Sequence, residues 1–179
     1  MGTEPEIFFL ILKRPGNYTY CMQYNRQPLK DRHETARRIK HLIETYYTDL
    51  HNVFYKDGYR TRPVTDLTLQ QYFDLVKNIP YRRDPKPFEI VARPYYLFKH
   101  RDLGLDCKKK SVLCGAFIRM KNFKYRAIGS SSREDKKVHH IYMQLYDTKK
   151  KAWRNVDATY PDYVLYAEKP TETFREVLK

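Results

Sequence analysis

The sequence predicts an α+β fold with an antiparallel sheet, on three observations. Helical periodicity dominates the chain before its midpoint, strand signals separated by short polar loops follow a central helix, and all of it lies within 179 residues that show no internal repeat and no convincing linker. One domain over residues 1–179 is the expectation, with a hairpin and a long helix in 1–60 and the core in 61–179.

The segments Ile7 to Leu12 and Asn17 to Tyr24 are apolar and aromatic, and Pro15-Gly16 between them is a turn signal, so the chain opens with a hairpin. From Asp31 to about Tyr55 the spacing of Ile39, Leu42, Ile43, Tyr46, Tyr47 and Leu50 predicts a long helix, closed by Asp57-Gly58. A second helix is expected from an Asp66 cap through Leu69, Tyr72, Phe73 and Val76, ending before Pro80. The proline-rich stretch from Pro80 to Arg93 reads as an extended crossing segment.

A third helix is expected from Cys107 to about Lys121, with Leu113, Ala116, Phe117 and Met120 facing the sheet and Cys114 and Gly115 suited to close packing. Strands are then expected at Phe123 to Ile128, Val138 to Tyr146, Ala152 to Val156 and Tyr163 to Ala167. Residues 129–135 and 147–150 are read as the loops between them.

Composition narrows the class. Apolar residues make up 41% and no low-complexity tract is present, which fits a folded rather than a disordered chain. Three cysteines, Cys21, Cys107 and Cys114, form an odd set without framework spacing, so reduced thiols and a cytoplasmic setting are expected. The apolar run Ile7 to Leu12 is too short for a membrane span and lacks the flanks of a signal peptide. The net charge of +14, spread along the chain, favours polyanions or acidic proteins as neighbours.

The chemistry concentrates at Leu105-Asp106-Cys107-Lys108-Lys109-Lys110-Ser111. Asp106 is a good N-cap and would place Cys107 in the first helical turn, where unpaired N–H groups and the positive end of the helix dipole favour thiolate. The following lysines would reinforce that effect at some cost to the helix. His139 and His140 open an alternating strand on opposite faces, so only one can meet the thiol, and periodicity leaves both open. Asp157, ending the strand Trp153-Arg154-Asn155-Val156-Asp157, could orient an imidazole or simply form an Asx turn. A metal site of Cys107, Cys114, His139 and His140 is disfavoured, because no Cys-x-x-Cys or His-x-x-x-His spacing occurs.

Taken in order, Gly104-Leu105-Asp106-Cys107, Phe123-Lys124-Tyr125-Arg126-Ala127, His140-Ile141-Tyr142-Met143-Gln144 and Trp153 to Thr159 resemble the transglutaminase-like superfamily, over residues 79 to 161. The upstream Ile79 to Pro85 and the preceding helices resemble the versions found in phage and prophage genomes. The resemblance implies a papain-like fold, a nucleophile helix packed on an antiparallel sheet. It implies Cys107 as nucleophile, His140 rather than His139 as base and acid, Asp157 as the orienting group and the Cys107 N–H as part of an oxyanion hole. The expected activity is that of a thiol protease, amidase or transamidase on a protein or peptide substrate, with no cofactor. Lys108 and Lys109, where such proteins usually carry acidic residues, and Gln144, where they often carry Glu, depart from the pattern and suggest an unusual substrate. The competing expectation is a papain-like fold whose basic surface and 17 tyrosines hold nucleic acid or a virion component.

Overall fold

The computed structural model describes residues 7–13, 19–25, 32–85 and 90–178, with the first two stretches and residue 57 as backbone only. It is an α+β structure in which helices pack on an antiparallel sheet. The N-terminal hairpin is present as β1 (Ile7–Lys13) and β2 (Thr19–Asn25), paired antiparallel from Ile7 with Asn25 to Lys13 with Thr19. Its Pro15-Gly16 turn lies outside the described residues, as does Asp31.

The long helix is shorter than its apolar periodicity suggests. α1 spans Arg32–Tyr46, burying Ala36, Ile39 and Ile43, and runs into a 3-10 turn over Tyr47–Asn52. Beyond it, Phe54–Asp57 and Arg60–Pro63 form a second hairpin, β3 and β4. Asp57-Gly58 therefore turns a strand rather than closing a helix, with Gly58 at φ +58° as the first central residue of a two-residue turn. The β-branched and aromatic run Val53-Phe54-Tyr55 explains the switch, since its preference for extended backbone outweighs three more residues of helix.

α2 spans Leu69–Lys77, and its cap is Thr68 rather than Asp66, which sits in a 3-10 turn (Val64–Asp66). Thr68 Oγ1 accepts from the Gln71 N–H at 3.2 Å, and Gln71 Oε1 accepts from the Thr68 N–H at 2.9 Å. A short helix absent from the sequence reading, α3 (Pro94–Lys99), follows the proline-rich segment, with Pro94 in its first turn where no N–H is needed.

α4 (Cys107–Met120) is the central element, with 11 of its 14 residues buried. It packs against α1, α2 and the sheet. Gly115 marks the closest approach: a Cβ there would strike the Ile43 side chain of α1 and lie 3.2 Å from the Met143 Cε of the sheet. Tyr72 of α2 stacks on Phe117 at 3.9 Å between centroids and donates to the Leu113 carbonyl at 3.0 Å.

The sheet contains β5 (Tyr125–Ser131), β6 (His140–Asp147), β7 (Ala152–Val156) and β8 (Phe174–Leu178), in the spatial order β7-β6-β5-β8 and antiparallel throughout. β5 to β7 form the expected meander. Two corrections apply. Gly129-Ser130-Ser131 belongs to β5, not to a loop: Gly129 and Ser130 pair with both β6 and β8, and Ser131 pairs with β8. The expected strand Tyr163 to Ala167 is irregular, with Tyr166 at φ +68°, and the fourth strand is Phe174–Leu178 along β5 instead. Among the described residues no helix is long and apolar enough to cross a membrane.

Candidate active site

Three local devices bring α4 to its place. The Asp106 carboxylate accepts from the Lys109 N–H at 3.1 Å, the predicted N-cap, so Cys107 is the first residue of α4. Upstream, the Leu105 N–H donates to the Pro80 carbonyl at 2.8 Å, pinning the approach to α4 against the segment after α2. Gly104 makes that contact possible: it sits at φ +82°, and a Cβ there would fall 2.7 Å from Arg82 Cβ.

His140 and Asp157 come from neighbouring strands. His140 opens β6, and Asp157 follows the last residue of β7. His140 Nε2 lies 2.6 Å from Asp157 Oδ2. The other carboxylate oxygen, Oδ1, accepts from the Thr159 N–H at 3.1 Å and the Thr159 hydroxyl at 2.5 Å. Asp157 thus forms the Asx turn and meets the histidine at once. His139 points elsewhere: it is exposed and neighbours the Ser131 and Ser132 hydroxyls at 3.3 and 3.4 Å.

Cys107, His140 and Asp157 all line one cavity of about 620 Å³. Part of its wall is aromatic, where Tyr160 lies 5.1 Å from Tyr81 and 5.2 Å from Tyr163, centroid to centroid. Burial alone would make His140 less basic. The hydrogen bond and charge of Asp157 outweigh it, the Cys107 side chain adds in the same sense, and the imidazole is pushed up to about 9. Burial of Asp157 is likewise overcome, by His140 first and then Lys169, which hold its carboxyl down at about 2.

The other cysteine of α4 is a core residue. Cys114 is 2% exposed, and burial, reinforced by the Asp157 charge, pushes its thiol up to about 12. Cys107 and Cys114 are both free thiols. Among the described residues no group of three His, Cys, Asp or Glu side chains is placed to hold a metal ion.

The lysines after Cys107 do not supply a free positive field at the thiol. Lys108 Nζ lies 2.6 Å from Asp106 Oδ2 and 3.6 Å from Asp84 Oδ2, and Lys109 Nζ pairs with Asp84 Oδ1. Asp84 also accepts from the Ile90 N–H at 2.7 Å. Lys110 is 1% exposed and donates to the Lys77 and Thr159 carbonyls, each at 3.0 Å. Each lysine is thus held by an oxygen of the fold, which explains why a first helical turn tolerates three cations. Gln144, the other departure, is buried between Arg126 Nε at 2.8 Å and Asn155 Oδ1 at 2.7 Å.

One side chain of the site has no sequence signal. Lys169, in the irregular segment between β7 and β8, pairs with Asp157 Oδ2 and places Nζ 3.3 Å from His140 Nε2. It is one basic residue among 35, in a stretch without periodicity, and only the tertiary path brings it here. Asp84 and Thr159 are hidden in the same way within loops.

Compared with models of protein families, with curated proteins and with solved structures, the chain has no match.

Proposed function

We propose that this protein is a cysteine-dependent amide-bond hydrolase, a protease or amidase with a papain-like, transglutaminase-like architecture, working through an acyl-enzyme. The supporting observation is the 2.6 Å pairing of His140 Nε2 with Asp157 in the cavity that Cys107 also lines, with the thiol acting on the same imidazole. A carboxylate at that distance keeps a proton on Nε2 and leaves Nδ1 to exchange protons with Cys107.

In the first half-reaction the Cys107 thiolate forms an S–C bond to the substrate carbonyl. The oxyanion is met by the N–H groups at the start of α4, the Cys107 N–H among them. The His140 imidazolium gives its proton to the departing amine as the C–N bond breaks, leaving a thioester. Water then attacks the thioester, His140 takes its proton, and the S–C bond breaks to release the acid and restore the thiolate and imidazolium. An amine in place of water would complete a transamidation by the same steps.

The test is alkylation by iodoacetamide, mapped by mass spectrometry across pH. Cys107 should react at least about tenfold faster than Cys114, with a rate that His140→Gln lowers. Equal rates for the two thiols, unaffected by pH and by H140Q, would remove the proposal.

A second reading has one observation in its favour. The β3–β4 hairpin exposes Tyr59 at its tip with Lys56, Arg60 and Arg62 beside it, a basic and aromatic surface suited to a nucleic-acid strand. Titrating single- and double-stranded DNA at several salt concentrations tests it, and affinity insensitive to salt or absent would exclude it.

A further inference from the structure

Two cations converge on one oxygen at the heart of the site. His140 Nε2 and Lys169 Nζ both reach Asp157 Oδ2, and the two nitrogens stand 3.3 Å apart. With a proton on Nε2, both are donors, so the contact between them is two donors sharing an acceptor rather than a hydrogen bond.

Lys169 is held there by more than Asp157. Its Nζ lies over the rings of Tyr142 and Tyr163, at 4.6 and 4.5 Å from their centroids, and its side chain is 12% exposed. The segment that carries it is fastened on both sides. Asn155 Nδ2 donates to the Ala167 carbonyl at 2.9 Å, and the Thr173 N–H donates to the Ser131 carbonyl at 2.9 Å. Such anchoring suits a group with a fixed electrostatic task, not a solvated surface lysine.

We propose that Lys169 is a positioning residue of the site: by sharing Oδ2 of Asp157 with His140 it fixes that carboxylate against the imidazole edge and makes the imidazolium easier to deprotonate than Asp157 alone would leave it. The groups that face His140 are Cys107 from α4, Asp157 after β7, Tyr142 from its own strand, and Lys169, with Tyr163 and Glu172 behind them from the same segment. The same cavity is also lined by Arg83, Asp84, Asp106, Lys108, Arg133, His139, Asp162 and Glu168, but Lys169 is the cation whose nitrogen stands against the imidazole edge, 3.3 Å from Nε2. A base held by an unshared buried carboxylate would stay protonated well above neutrality, and an acid–base group works best with a pKa near the working pH. Lys169 moves the imidazole in that direction without occupying the nitrogen that serves the thiol.

The inference rests on the proposed function for its meaning in catalysis, but its test does not. In the full chain labelled with ¹³C- and ¹⁵N-histidine, the His140 resonances are assigned by their loss in H140Q and titrated by NMR. Lys169→Met and Lys169→Gln should each raise the His140 midpoint by at least about 0.5 pH unit, roughly threefold in proton affinity, while Lys169→Arg stays near the wild type. An unchanged or lowered midpoint in a folded K169M or K169Q protein would overturn the role assigned to Lys169. Failure of Cys107 to alkylate would count against the proposed enzyme and leave this result standing.

Discussion

Lys110 Nζ donates at 3.0 Å to the carbonyl of Thr159, while the N–H and hydroxyl of Thr159 both donate to Asp157. A buried lysine one turn into α4 is thereby tied to the turn that presents the carboxylate to His140. The same ammonium holds the Lys77 carbonyl at the end of α2, so three parts of the fold meet on one side chain.

Lys110→Met keeps most of the volume but leaves the buried Thr159 carbonyl and the partly buried Lys77 carbonyl without their donor, at a cost of about 2 kcal/mol after allowing for the relief of burying a charge. Urea denaturation at pH 7 should show that loss. Because burial holds the Lys110 amine down at about 8, the wild type should also gain stability as pH rises from 8 to 10.5, and K110M should lack that gain.

Asp84 answers both Lys108 and Lys109 and binds the Ile90 N–H. Asp84→Ala would leave a buried cation cluster with Asp106 alone, and we expect about 3 kcal/mol of destabilisation. Lys108→Met removes the 2.6 Å partner of Asp106 Oδ2 but leaves the Asp106 cap and the Lys109–Asp84 pair in place, so it should cost less than Asp84→Ala. Comparing their thermal and urea midpoints checks the ordering.

Gly104→Ala meets two obstacles, a backbone conformation at φ +82° and ψ +151° that L residues avoid and the Arg82 Cβ at 2.7 Å. A loss of about 2 kcal/mol is expected. The substitution also lies three residues before Cys107, so slower alkylation of Cys107 at unchanged exposure of Cys114 should accompany it.

The pH profile follows from His140 and Asp157. The His140 pKa is raised from 6.5 to about 9, so its contribution to stability is complete below pH 6.5 and is lost as pH rises through about 9. The Asp157 pKa is lowered from 3.8 to about 2, so its contribution is present above pH 3.8 and is lost as pH falls through about 2. The cleanest window for the first effect lies between pH 6.5 and 8, below the Lys110 titration, and the decline there should vanish in H140Q. If His140 protonates the leaving amine, activity should also fall on the alkaline side with a midpoint near 9.

Local signals read well from the sequence. Asp106 as the cap of α4 and the alternation that separates His139 from His140 depend on residues within one turn or two positions of each other. The stripe expected to face the sheet, by contrast, turns Phe117 onto Tyr72 of α2, and Ser111 and Gly115 meet the sheet instead. The boundaries that failed lay where two local preferences competed. Leu50 continues the helical spacing of α1 while Val53 and Phe54 prefer strand, and Gly129 looks like a loop residue although its missing Cβ serves to admit Val138 and Leu178. β8 gave no clear signal because it is an edge strand with a single fully buried residue, Leu178.

By itself the sequence determined the α+β class and α4 with its Asp106 cap, and the resemblance singled out Cys107, His140 and Asp157, which line one cavity. The tertiary structure alone decided what surrounds them. Lys109 finds Asp84 across 25 residues, Lys110 finds Thr159 across 49, and Lys169 arrives at Asp157 from an irregular segment. A charge takes its meaning from the partner it is buried against, and no spacing along the chain encodes that partner. The lysines after Cys107 therefore proved to be fastenings of the fold, while a single lysine from a loop stands beside the histidine.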